Sequence, residues 1–150
     1  MIIGFLKEND EFETRSMVLP EHVGNLSKMG FKILVEQNYA EQLNIKDNFY
    51  SDAGAVIKSA TDIASTSDIV IKISGKDLDT HNFKNGSIII MGFFDKGNED
   101  LLKIKNDKKL EMFGLNYLPR ITRAQAMDVL SSQSNLAGYK AVIDTAYEFS

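Results

Sequence analysis

Short apolar runs alternate with amphipathic stretches along most of the chain. The run IIGFL (2–6) is continuous and predicts a buried strand. PEHVGNLSKMG (20–30) predicts a helix, with Pro20 in the first turn, Gly30 at the C-terminal cap, and Val23, Leu26 and Met29 at helical spacing. FKILVE (31–36) is the next predicted strand, and AVIK (55–58), entered through a turn at Gly54, is another. TDIASTSD (61–68) reads as a short helix or turn, followed by a strand at IVIKIS (69–74). GSIIIMGFF (86–94) is the most apolar strand. NEDLLKIKND (98–107) carries acids in its first turn and lysines towards its end, which suits a helix dipole. KLEMFGL (109–115) is a further strand, and a long helix is predicted from about Ser132 to Ser150.

The alternation of strand and helix, the short connections and the continuously apolar strands predict a parallel sheet covered on both faces. The expected fold is α/β: an open, doubly wound, mostly parallel sheet of about five or six strands, Rossmann- or flavodoxin-like, with a long C-terminal helix. A chain of 150 residues fits one domain. The net charge of −4 argues against a nucleic-acid surface. There is no cysteine, so disulfides and thiolate chemistry are excluded and a cytosolic compartment is permitted. MIIGFLKENDE has a lysine at position 7 and acids directly after it, unlike a signal peptide.

Candidate chemistry is sparse. No G-x-G-x-x-G follows a strand, and no phosphate-loop motif occurs. His22 and His81 are not spaced as a metal pair, so no metal site is expected. Three places stand out. The loop ENDEFETRSMVLP (8–20) follows the first strand, where open α/β sheets bind ligands, and holds Arg15. Lys72 interrupts an apolar strand, so it either snorkels from an edge or points into a cleft. The third is LPRITRAQAMDVLSSQSNLAGYKAV (118–142). The chain has three arginines against fourteen lysines, and Arg120 and Arg123 both lie here beside Gln125, Asp128, Ser131, Ser132 and Gln133. Thr122 and Gln125 have capping-box spacing, so a simple helix start competes with a ligand contact as the reason for Gln125. The following helix has Leu136, Val142, Ile143, Ala146 and Phe149 on one stripe, an apolar surface that calls for burial and that this chain alone is not expected to cover fully. It meets Ser150 with no stop signal, which fits a piece of a longer polypeptide.

The segment PRITRAQAMDVLSSQSNLAGYKAVIDTAYEF resembles the pattern P-R-I-[ST]-R-A-Q-x-M-D-x-L-S-S-x-x-N-[IL]-A-G-Y. That pattern marks the alpha subunits of proton-translocating NAD(P) transhydrogenases, within the alanine dehydrogenase/transhydrogenase N-terminal domain family. KENDEFETRSMVLP is similar to that family's K-E-x-x-x-x-E-x-R-V-A-x-T-P, with Ser16, Met17 and Leu19 departing from it. SDAGAVI and DIVIKIS resemble two further stretches of the family.

The resemblance implies the N-terminal half of an NAD(H)-binding component, spanning residues 1–150, with the glycine-rich NAD fingerprint in a half beyond this sequence. It implies that Arg120, Gln125, Asp128 and Ser131 lie against the nicotinamide and ribose of NAD(H), with Arg15 and Lys72 as basic residues of the same cleft. No catalytic acid or base is assigned, because hydride transfer between nicotinamides needs only close, oriented, dry rings. The implied partners are the fingerprint half, NADP(H)-binding and membrane subunits, and a second copy in a homodimer. The implied place is the cytoplasmic or matrix face, peripheral to the membrane. Two other readings stand beside it: a stand-alone binding or assembly module without catalysis, and an alanine-dehydrogenase-like fragment. The related alanine dehydrogenases carry a histidine where this chain reads IIIMGFFDKGN, which speaks against the latter.

Overall fold

In the computed structural model, which describes residues 1–95 and 97–149, the apolar runs become six strands of one sheet. These are β1 (Ile2–Phe5), β2 (Lys32–Glu36), β3 (Val56–Lys58), β4 (Ile69–Ser74), β5 (Ile88–Phe93) and β6 (Glu111–Gly114). The order across the sheet is β3-β2-β1-β4-β5-β6, and every pair is parallel. Ile3 pairs with Ile33 on one side and with Ile69 on the other, so β1 is central.

Alternate residues of each strand feed two separate cores. Ile3, Phe5, Ile33 and Val35 pack on one face with Val23 of α1 (Pro20–Lys28) and Tyr50 of α2 (Asp47–Asp52). Leu6, Leu34, Val70, Ile89 and Met91 pack on the other face with Ile63 of α3 (Ala60–Thr66) and Leu101 of α4 (Glu99–Asp107). Burial on both faces is what makes the strands read as unbroken apolar runs. Gly4 marks the closest approach of α3: a Cβ there would collide with Ile63 Cγ2 and Ser67 Oγ.

Helix boundaries follow local capping. Ser59 Oγ accepts from the Asp62 N–H at 3.1 Å to start α3, and Asn98 Oδ1 accepts from Leu101 N–H at 2.9 Å to start α4. Pro20 opens α1, and Gly30, at φ +91°, closes it. Met29 is an exception to the expected stripe, being 70% exposed.

Two departures concern helices. The helix α2 lies in a polar stretch, DNFYSD, with no amphipathic repeat. It is anchored by Tyr50, which is fully buried, meets Tyr39 edge-on and donates to the Val18 carbonyl at 3.0 Å. The last helix, α5 (Val129–Glu148), starts three residues earlier than expected; Ser150 lies outside the described residues. It has no buried residue, and its apolar stripe is open, beyond the incomplete cover expected: Leu136, Val142 and Ile143 are 62%, 69% and 48% exposed.

Candidate functional site

The chain leaves β1 towards β2 and leaves β4 towards β5, although β1 and β4 are neighbours. Connections that diverge in this way open a crevice beyond the carboxyl ends of the two strands, the usual ligand position in such sheets. The loop after β1 and the turn after β4 line a cavity of about 460 Å³ there, with Glu8, Asn9, Asp10, Lys72, Lys76 and Asp77 in its wall.

Lys72 points into this crevice and is 1% exposed. Its ammonium donates to the Lys7 carbonyl at 2.6 Å and to Asp77 Oδ2 at 3.4 Å. Asp77 Oδ1 is nearer, at 3.0 Å, but off the axis for a hydrogen bond, so that contact is ionic. Glu8 Oε2 lies 4.0 Å away, while Glu8 Oε1 accepts from the N–H groups of Ile73 (2.7 Å) and Ser74 (3.3 Å). Burial pushes the Glu8 carboxyl above its ordinary range; Lys72 and the two N–H donors work against that shift, and Asp77 adds to it.

Arg15 sits beside this group and faces the C-terminal segment. Its Nε and Nη2 grip Glu13 at 2.7 and 2.5 Å, and Nη1 donates to Gln133 Oε1 at 2.9 Å. The guanidinium carbon lies 5.8 Å from the Phe93 ring centroid, a cation–π distance. The hydrogen bonds to Glu13 raise the Arg15 pKa further, and Arg15 in turn lowers that of Glu13. The loop behind Arg15 is held by two phenols: Met17 N–H donates to the Tyr39 hydroxyl at 3.1 Å, and Tyr50 holds Val18. Burial raises both phenol pKa values, that of Tyr50 to about 12.

The segment 118–133 comes from β6, and its Val129 and Gln133 line a second cavity, of about 420 Å³, with Arg15, Ile73 and Phe93. Gly114 lets the chain turn against Phe94, where a Cβ would come within 2.6 Å of the Phe94 Cβ. Asn116 then holds the Phe94 backbone at both its N–H (3.0 Å) and its carbonyl (3.2 Å). Residues Thr122–Met127 form a 3₁₀ turn in which Ala124 alone is buried. The capping box expected from Thr122 and Gln125 does not form. The cap is Asp128, whose Oδ1 accepts from Leu130 and Ser131 N–H at 3.0 and 3.1 Å and whose Oδ2 accepts from Ser131 Oγ at 2.6 Å. A carboxylate facing several donors outcompetes a threonine hydroxyl three residues before an amide. These bonds lower the Asp128 pKa, the Ser131 hydroxyl first, with Arg120 adding its charge.

The structure thus joins Arg15 to the motif segment through Gln133, and joins Lys72 to the loop that carries Arg15. Arg120, Arg123 and Gln125 are exposed, and their side chains have no hydrogen-bond partner among the described residues. Glu8 and Asp77 carry much of the geometry but did not stand out as site residues, and Gln133 did so only as one member of the 118–142 stretch. Glu8 was signalled by its place just after a buried strand. Asp77 had no comparable signal, since only the sheet order brings its turn to the first loop.

The alanine dehydrogenase/PNT N-terminal domain family matches residues 4–137. The chain belongs to that family. An NAD(P) transhydrogenase subunit alpha from Haemophilus influenzae is 35% identical over 99% of this chain and 29% of the relative. A solved transhydrogenase from Sinorhizobium meliloti superposes with a TM-score of 0.85 at 39% identity, covering 99% of this chain and 45% of that one. An alanine dehydrogenase of Staphylococcus aureus is 25% identical over 98% of this chain and 39% of the relative. The family therefore spans both enzymes, with greater similarity on the transhydrogenase side. The chain covers less than half the length of each of these relatives.

Proposed function

We propose that this chain is the N-terminal half of the NAD(H)-binding component of an NAD(P) transhydrogenase. It would contribute to hydride transfer between NAD(H) and NADP(H), coupled to proton translocation by membrane subunits. The observation that carries this reading is the Arg15–Gln133 bond. It ties the loop after β1 to the motif segment around one cavity beside the Lys72 crevice, as a shared nucleotide site requires. Similarity to transhydrogenase alpha subunits over nearly the whole chain gives the same direction.

The residues fit one end of the cofactor. Gln125 offers an amide with both donors and acceptors, and Arg120 a rigid donor fork; both are exposed and suit a carboxamide and ribose hydroxyls. Asp128 and Ser131 are engaged in capping α5, so their first task is to fix the helix start that places Gln125 and Gln133. The Asp128 carboxylate retains lone pairs for a ribose hydroxyl. Nothing in this sequence fits the pyrophosphate end, which calls for a glycine-rich turn at a helix N-terminus. The bound nicotinamide supplies the hydride chemistry; this chain's role is to orient the ring and exclude water.

The same reading accounts for α5. Leu136, Tyr139, Val142, Ile143, Tyr147 and Phe149 are all exposed on it, an apolar surface that calls for a cover. The second half of the component would supply that cover, with a second copy as a further contact. NADP(H)-binding and membrane subunits would complete the enzyme and hold this component at the membrane's cytoplasmic or matrix face. No described helix is long and apolar enough to cross a membrane itself.

Calorimetric titration with NADH tests the proposal. The chain alone is expected to bind weakly or not at all; a chain joined to a fingerprint half is expected to bind and, once mixed with the NADP(H)-binding component and NADP⁺, to lose hydride transfer on Gln125→Ala. Low-micromolar binding by the chain alone would overturn the division of labour between the halves.

A further inference from the structure

The crevice holds a buried cation at the place where this sheet type receives ligands, and that cation is already occupied. Lys72 Nζ is reached from the solvent side by Asp77, which is 24% exposed at its side chain while Lys72 is 1% exposed. Asp77 stands in the left-handed region, at φ 58° and ψ 0°, a conformation that costs an L-residue free energy and that Asp and Asn tolerate best after glycine. In that conformation its carboxylate turns inward onto the ammonium. Two further contacts clasp the same turn to the loop after β1: Asn9 Nδ2 donates to Asp77 Oδ2, and Lys76 pairs with Asp10 at 2.7 Å. Glu8, the other carboxylate facing Lys72, is spent on the Ile73 and Ser74 amides and stays 4.0 Å from the ammonium.

We propose that Asp77 is a specificity-determining residue: its carboxylate fills the anion position beside Lys72 and keeps small free carboxylates out of the crevice. The inference is independent of the hydride-transfer reading, since it concerns only which ligands this half of the site refuses. The physical reason is competition. A buried ammonium binds a carboxylate well, because burial removes the competing water. An internal carboxylate on a clasped turn is always at hand, whereas a dissolved acid must displace it and leave Asp77 without its cation. Without Asp77, the Lys7 carbonyl and Lys72 ammonium would form the base of an open pocket for a small monocarboxylate.

The test uses the chain alone, with acetate as probe and acetamide as its neutral counterpart, at constant ionic strength. Binding is followed through the amide NMR signals of Ile73, Ser74 and Glu8. Asp77→Gly removes the carboxylate at a backbone conformation that glycine accepts. Acetate is expected to give saturable shifts in this variant at least tenfold tighter than in the unaltered chain, with none from acetamide. Adding Lys72→Met is expected to abolish them. Asp77→Asn, which keeps the turn and removes only the charge, is expected to gain at least threefold and serves if the glycine variant is unstable. Equal acetate affinity with and without Asp77 overturns the proposal. So does a folded glycine variant with no saturable response, or a response that survives Lys72→Met.

Discussion

Lys72 and Arg120, both assigned to the proposed site, lie in opposite environments. The ammonium of Lys72 is buried and meets oxygens of Lys7, Asp77 and, further off, Glu8. Arg120 opens a stretch in which Ala124 is the only buried residue up to Phe149. A cation inside the protein must be neutralised before any ligand arrives, because an unpaired buried charge is too costly to keep. A cation at the surface is satisfied by water, which a ligand can replace at small cost. Under the proposed function that difference would divide the labour: the Lys72 cluster would shape and filter the crevice, and the segment from Arg120 to Gln133 would hold the donors offered to a cofactor.

The contrast can be broken most sharply at Lys72. Lys72→Met should destabilise the chain by roughly 3 kcal/mol in urea unfolding, because it strands the Glu8 and Asp77 carboxylates. A loss below about 1 kcal/mol would mean that water already reaches the cluster. At the other end, Asp128→Ala should loosen the start of α5, where it removes the cap. That loosening should stay local, as faster amide exchange near Leu130 to Gln133 with an almost unchanged unfolding midpoint, since α5 buries no residue. A matching global loss would show that α5 is tied to the sheet more firmly than its exposure implies.

Titration sharpens the same comparison. Burial raises the Glu8 pKa above its ordinary value of 4.5, so the folded chain holds this proton more tightly than the unfolded chain. Its stabilising contribution is present below the unfolded value and is lost as pH rises through the raised one. The lowered carboxyls have the opposite sign: Asp68 beside Lys84, Asp10 beside Lys76, Glu13 beside Arg15 and Asp128 beside Ser131 add stability above their unfolded values and lose it on acidification. Glu8→Gln should therefore remove a loss of stability that the unaltered chain suffers as pH rises above about 4.5, measured by denaturation at each pH. The same loss persisting in the variant would contradict the burial of this carboxyl. The smallest effect is expected at Gln125→Ala, within about 0.5 kcal/mol of the unaltered stability, as for other exposed positions. A larger loss would make Gln125 structural.

Most of the fold was legible because both faces of the sheet are covered, which writes each strand as an apolar run. The helix α2 was illegible because one tyrosine, not a repeating stripe, anchors it. Lys72 was legible as the single charge inside IVIKIS, and the arginine segment by its unusual composition and motif. Asp77 was not, because its meaning arises from the neighbouring of β1 and β4, which no local pattern encodes. The stripe on α5 was legible as a surface that wants covering, and its exposure agrees with the expectation that this stretch of chain does not supply the full cover.

The central position of β1 also bears on how the molecule assembles. Its pairing with β2 joins nearby stretches of chain, whereas the contact between Ile2 and Asp68 spans 66 residues. Closing the longer loop costs more chain entropy and is rewarded only once both sides are in place. The three strands β1, β2 and β3 can therefore organise as one unit, and β4, β5 and β6 as another, before the two meet. The crevice is the seam where those units join, so it should be the last region to form and the first to open. Native-state hydrogen exchange is expected to show it: the Leu6 amide, bonded across the seam to the Ile71 carbonyl at 3.1 Å, should exchange through a lower-energy opening than amides between β4 and β5. Identical opening energies on both sides of β4 would mean that the sheet forms as a single unit.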